Sequence, residues 1–184
     1  MSAGAPRLVT EIATLAAILN AYADKIGGDF TAYWNHTHRI ANLCAAHAPD
    51  GAEVLEKIAI AAAFHDLGIW THGTFDYLKP SIGLAEAHLD STGMSRWKPE
   101  IAAMISWHHK LTPFLEEPNW LVEPFRRADW CDVTLGLLRF GVPRAFIRAL
   151  YETWPSAGFH KRLVQLEASH LRKHPANPLP VLKW

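Results

Sequence analysis

The chain reads as an all-α protein. Three observations predict this. Apolar residues recur at three- and four-residue intervals in successive segments, glycines and prolines fall between those segments, and no stretch alternates apolar with polar residues as a half-buried strand would. In the first segment, residues 8–26, Leu8, Ile12, Leu15, Ile18, Leu19 and Tyr22 follow the helical period until Gly27-Gly28 ends it. The second, Thr31–His47, is stopped by Pro49 and gathers Ile40, Leu43 and Cys44 on one side. His36 and Arg39 are three residues apart on it, so both can address one site. Glu53–His65 forms the third helix.

From Gly68 to Pro80 the chain turns polar and aromatic, with Thr71, His72, Thr74, Asp76, Tyr77 and Lys79, the pattern of a long loop serving as lid or wall of a site. Ser81–Leu89 is a helix with Ser81 as N-cap and Gly93 beyond its end, carrying His88. Pro99 suits the first turn of the next, which runs to His108 and His109. After a loop marked by Pro113 and Pro118, Pro124 opens a helix over Phe125–Phe140 that bears Asp129 and Asp132, and Gly141-Val142-Pro143 breaks it. Arg144–Glu152 and Lys161–Lys173 are the last helices. The tail, 174–184, holds three prolines and is expected to be extended. Residues 1–184 thus read as one domain, with its core at about 31–141 and C-terminal helices over 144–173.

At 49% hydrophobic and 20% charged, 184 residues can bury a sizeable core. The 18 basic and 18 acidic residues cancel, so no overall field holds a polyanion and nucleic acid is not the expected partner. Cys44 and Cys131 lack CxxC spacing and read as reduced, buried thiols, which suits a cytoplasmic protein. Glu11 and Asn20 interrupt the apolar residues of the N-terminus, against a signal peptide, and no apolar run approaches the roughly 18 residues needed to span a bilayer.

The chemistry concentrates at Ala61–Trp70, where an apolar helical run delivers His65 and Asp66 side by side and breaks at Gly68. A structural helix end would more usually carry Lys or Arg in its last turn. Adjacent helical residues point about 100° apart, so the pair serves one cation only if the helix ends there or the carboxylate reaches a second ion. Further ligands lie at His36, His88, the pair His108-His109, and Asp129. His36 with Arg39, the His65-Asp66-Leu67-Gly68 run and Ala128-Asp129-Trp130-Cys131-Asp132 resemble the signature of the HD-domain superfamily of metal-dependent phosphohydrolases, over roughly Thr31 to Gly141.

The resemblance implies an HD-like helical bundle with a metal site inside it. His36, His65, Asp66 and Asp129 would hold one ion, and His88 and His108 a second, with Asp66 bridging through its two oxygens. The expected cofactor is a pair of divalent ions, iron or manganese, with zinc possible, since a nitrogen and oxygen donor set alone does not choose. A metal-activated water would attack a small phosphate ester or nucleotide without a serine nucleophile. Asp66 and His109 are the residues expected to act in catalysis, His109 from outside the ligand set because it diverges from His108 by the same 100°. Arg39, Lys110, Lys79 and His109, with Trp34 and Trp70 as apolar walls, are the expected contacts to a small-molecule substrate. Lys79 reads more naturally as a solvated charge, and Arg39 has a rival role as a buried partner of Asp132 that braces the helices.

The chain departs from the cyclic-dinucleotide phosphodiesterases of that superfamily, because it lacks their Gly-Tyr-Pro motif and Lys110 stands where they have glutamate. Diiron oxygenases of the same fold are similar in ligand order, and single-zinc cyanamide hydratases would need only His36, His65, Asp66 and Asp129. A binding protein with the metal as a structural staple is the non-enzymatic alternative.

Overall fold

The computed structural model describes residues 6–74 and 76–173, and over these the chain is all-α with no strand. The helices are α1 (Ala13–Ala21), α2 (Ala23–Ile26), α3 (Phe30–Ala45), α4 (Ala52–Phe64), α5 (Gly68–His72), α6 (Leu78–Ser91), α7 (Lys98–Trp107), α8 (Val122–Val133), α9 (Arg144–Thr153) and α10 (Phe159–Lys173). Short 3-10 turns at Gly27–Asp29 and Ser95–Trp97 lead into α3 and α7. The extended tail expected over 174–184 lies outside the described residues.

Helix α3 is the central element. It packs most extensively on α8 and also on α4, α1, α9 and α10, while α7 lies against α4, α6 and α8. Twelve of its sixteen residues are buried, including the polar Asn35, His36, Thr37, His38, Arg39 and Asn42, so this helix is hidden on nearly every side. The middle of α4 is lined by Ile58 through Ala63, all fully buried, and the three consecutive alanines leave room for neighbouring helices to come close.

Four segments differ from the sequence expectation, each for a local reason. Residues 8–12 are not helical, because the Asn42 side-chain amide binds both polar groups of Val9: Val9 N–H donates to Oδ1 at 2.8 Å and Nδ2 donates to Val9 O at 3.1 Å. The long loop expected from Gly68 to Pro80 is mostly helix, with α5 ending at His72 and α6 starting at Leu78. Helix α6 starts ahead of Pro80, which the first turn tolerates because its N–H would have no intrahelical partner. Ser81 is therefore not a cap; its buried Oγ accepts the Gly68 N–H at 2.9 Å.

Helix α8 ends at Val133, well short of Phe140. Leu135 adopts φ 54°, and the Gly136 N–H reaches back to Cys131 O at 2.8 Å while the Leu135 N–H bonds Asp132 O at 2.9 Å. This is the Schellman closure, made here with a leucine at the left-handed position where glycine is usual.

Candidate metal centre

Two helix ends and two helix middles converge on one point. His65 is the first residue past α4 and His108 the first past α7. Beyond each, the chain tightens into three-residue turns, with Leu67 N–H on Phe64 O at 3.1 Å and Lys110 N–H on Trp107 O at 2.8 Å. A three-residue turn separates adjacent side chains by about 120°, so it is side-chain reach that brings each pair to one cluster. His65 and Asp66 face the same cluster, and so do His108 and His109, whose ring centroids are 3.9 Å apart. His36 comes from within α3, and Asp129 from within α8.

Asp66 Oδ2 lies 3.3 Å from His65 Nε2 and 3.8 Å from His36 Nε2, while its Oδ1 lies 3.5 Å from His108 Nε2. Asp129 also reaches two ways, with Oδ1 4.0 Å from His36 Nε2 and Oδ2 3.1 Å from His109 Nδ1. Two groups capable of holding a cation result, His36-His65-Asp66 and Asp66-His108-His109, sharing Asp66.

The imidazole hydrogens show what the cluster is built to receive. His65 Nδ1–H donates to Ala62 O at 2.8 Å, His108 Nδ1–H to Ile105 O at 2.6 Å, and His36 Nδ1–H to the Asp132 carboxylate at 2.8 Å. A carbonyl or an ionised carboxylate accepts only, so in the neutral rings these bonds fix the tautomer and leave each Nε2 with a lone pair aimed inward. His36 Nε2 and His65 Nε2 stand 3.1 Å apart, a contact that is attractive only with a proton or a cation shared at that point. Neighbouring ligand atoms each about 2.1 Å from one ion have about this spacing.

Asp66 Oδ1, His108 Nε2 and both oxygens of Asp129 are buried without a hydrogen-bond partner. Orphaned polar atoms are costly in a protein interior, and four in one cluster fit a bound cation. The donors are nitrogen and oxygen. Cys44 and Cys131 are buried outside the cluster, and burial pushes the Cys131 thiol up to about 12.

Burial dominates the electrostatics and is resisted unevenly. It lowers the pKa of His36 despite the Asp132 carboxylate, and that of His108, to which neighbouring His109 adds. Burial also opposes charge on His65 and His109, yet Asp66 and Asp129 respectively outweigh it and both values rise. Burial works against the Asp66 charge too, but His65 and His108 hold its carboxyl well below the usual range. Protons and a cation thus compete for the same atoms, as at metal sites generally.

Aromatic rings close the cluster from outside. Phe159 stacks on His36 at 3.8 Å, and Phe125 meets His65 edge-on at 5.7 Å. The Tyr33 hydroxyl donates to Ala63 O at 2.9 Å and receives the Asp66 N–H at 3.4 Å, straddling the end of α4. His36, His65, Asp66, His108 and Asp129 are no more than 2% exposed, whereas the His109 side chain is 20% exposed, so the cluster meets solvent through His109.

The structure does not bring every expected residue here. His88 lies on another face of α6, packed on Phe64 at 5.4 Å and near Glu56, and His109 takes the place in the cluster that His88 was expected to fill. Arg39 is fully buried and committed to the brace: Nε and Nη2 donate to Asp132 at 2.6 and 2.8 Å, and Nη1 to Trp154 O at 2.8 Å.

Lys79 is exposed, and half-buried Lys110 follows His109 at the solvent side. Trp34 stacks on His38 at 4.5 Å, away from the cluster, and Trp70 stands one layer out, 4.5 Å from Tyr33 with Nε1–H on Asp29. The sequence reading placed Tyr77 in the expected wall of the site but gave no role to its hydroxyl, which lies 2.7 Å from His109 Nε2, and gave no place in the site to Phe125 or Phe159. Nothing in their spacing marks them.

The molecule is therefore an all-α protein with a buried His/Asp cluster able to hold a metal ion. No family model, curated protein or solved structure matches the chain. Among the described residues no helix is long and apolar enough to cross a membrane.

Proposed function

We propose that the protein is a metal-dependent hydrolase of the HD type that cleaves a small phosphate ester or nucleotide with water. One observation carries this reading: three imidazoles, each with its Nδ1–H engaged, present Nε2 to a carboxylate whose two oxygens serve different histidines. His36 and His65 on one side of Asp66, and His108 and His109 on the other, would hold two ions, with Asp66 shared between the two groups. Iron or manganese suits the nitrogen and oxygen donors, and zinc is also compatible. A bound cation supplies Lewis acidity and a water acidified toward neutrality.

The protein's own residues do the rest. Asp132, Ala62 O and Ile105 O hold the imidazoles in register, and Phe125 and Phe159 keep water from their buried side. Asp66 and Asp129 contribute two negative charges and neutral imidazoles none, so two divalent ions leave an excess of roughly two positive charges. An anionic ester complements that excess without help from Arg39. Substrate would enter past His109, the exposed member, where Lys110 follows.

The test is elemental mass spectrometry on protein purified without added metal, paired with a panel of phosphate monoesters and nucleotides assayed with manganese and with ferrous iron. Near two ions per chain and phosphate release are expected. His65→Ala and Asp66→Ala should abolish both, while His88→Ala keeps both, since His88 stands outside the cluster. A chain that retains no metal and releases no phosphate overturns the reading. Two irons with a mixed-valence signal and oxygen uptake would replace it by an oxygenase, and one zinc with nitrile hydration by a hydratase.

A further inference from the structure

We infer that Tyr77 is the positioning residue for the second half of the cluster, turning His109 so that Nδ1 faces the carboxylates. This rests on the two-ion reading above. His36, His65 and His108 are all held at Nδ1 and present Nε2. His109 is inverted: its Nε2 is held by the Tyr77 hydroxyl at 2.7 Å and its Nδ1 faces Asp129 Oδ2 at 3.1 Å. As the sequence neighbour of His108, with the rings 3.9 Å apart, it reaches the same cluster through the ring nitrogen nearer its backbone.

A phenol hydroxyl suits this task because it can donate or accept. Without a cation, His109 Nδ1 faces the Asp129 carboxylate at 3.1 Å while Nε2 stays hydrogen-bonded to the Tyr77 hydroxyl at 2.7 Å. With a cation at Nδ1, the ring hydrogen sits on Nε2 and donates to the Tyr77 oxygen. The ring keeps its place in both states, so no reorientation opposes loading.

Tyr77 is itself fixed by the segment that carries the doublet. It precedes α6 and is 2% exposed, and its carbonyl accepts the Ser81 N–H at 2.9 Å. Ser81 Oγ in turn holds the Gly68 N–H, and a Cβ at Gly68 would lie 2.6 Å from Tyr77 O. The connection from Gly68 to Tyr77 thus ties the residue that orients His109 to the chain two residues past Asp66.

The experiment is calorimetric titration of the chelator-stripped full chain with Mn²⁺, comparing wild type, Tyr77→Phe and His109→Ala, with melting of the stripped proteins as a fold check. Wild type should take two equivalents. Tyr77→Phe should keep the first at unchanged affinity and bind the second about 10- to 100-fold more weakly, in the direction of His109→Ala. An undiminished second equivalent in Tyr77→Phe overturns the role of Tyr77 alone. A single equivalent in wild type overturns the two-ion reading, and this inference with it.

A second measurement needs no variant. Long-range proton–nitrogen correlation spectra of the Zn²⁺-loaded wild type should show His109 as the one cluster histidine protonated at Nε2. Protonation at Nδ1 would overturn the assignment even if Tyr77→Phe failed to fold.

Discussion

At Asp132 one buried carboxylate accepts from Arg39 Nε and Nη2 at 2.6 and 2.8 Å, from the Tyr151 hydroxyl at 2.9 Å and from His36 Nδ1 at 2.8 Å. Burial opposes its charge, but Arg39 and His36 outweigh that and keep its carboxyl well below the usual range. Both Asp132 and Arg39 are fully buried, so removing one partner strands the other's charge in the interior. Asp132→Asn should destabilise the stripped protein by about 3–5 kcal/mol, read from urea unfolding, and a loss under about 1 kcal/mol would mean that Arg39 finds another acceptor. The i, i+3 pairing of His36 with Arg39 was legible in the sequence, as was the option of an Asp132 brace. Whether Arg39 braces or meets substrate depends on burial by an element 93 residues away, which spacing along the chain does not encode. The same limit hid the choice between His88 and His109: either is a histidine near a helix end, and only tertiary packing decides which one faces Asp66.

Among the elements, the ends of α4 and α7 make the cluster, and only one of them was legible. Gly68 follows His65-Asp66 closely enough to signal a break, whereas no glycine or proline stands near His108 until Pro113, so the periodic reading carried the helix through His109. Helix α8 ran too far in that reading because Leu135 does a glycine's work. The start of α8 carries its own electrostatic clamp. Glu123 accepts from Arg126 through both oxygens at 2.7 and 2.8 Å, from Arg127 at 2.8 Å and from the Phe114 N–H at 3.0 Å. Burial raises its carboxyl, but these donors outweigh it and bring the value down from 4.5 to about 2. The folded value is the lower one, so the stabilisation is present above pH about 4.5 and is lost as pH falls toward 2. The melting-temperature gap between wild type and Glu123→Gln should therefore be widest above pH 5 and close over that window, with a magnitude near 1 kcal/mol because the clamp is only partly buried. A gap that stays constant down to pH 2.5 would contradict the clamp.

For the molecule as a whole, the helical period and the placement of glycines and prolines made the all-α architecture legible almost throughout. The non-helical stretch 8–12 was not, because its partner Asn42 lies 33 residues away from Val9 and a lone amide carries no signature. The centre of the molecule is also where stability and ligand binding become one quantity. Removing a cation leaves Asp66, Asp129 and His108 with buried atoms unsatisfied, so binding should stabilise the folded chain strongly. At a free metal concentration of 100 times Kd the gain is about 2.7 kcal/mol per site, or roughly 5–10 °C in melting temperature for a chain of this size. Scanning calorimetry with and without a chelator reads this directly, and superimposable melts would argue against a cation in the cluster.

That five of the six converging side chains are almost wholly sealed, and the sixth only a fifth open, also governs timing. An ion held between His36 and His65 would leave past His109 or through local opening of the helices, so its exchange would follow the opening rate of the fold. Such a centre keeps a memory. A metal recovered from a purified sample would then record which ion was abundant when the chain closed around it, rather than the ranking of equilibrium affinities, and isotope-exchange half-times would be set by the scaffold and not by the ligands.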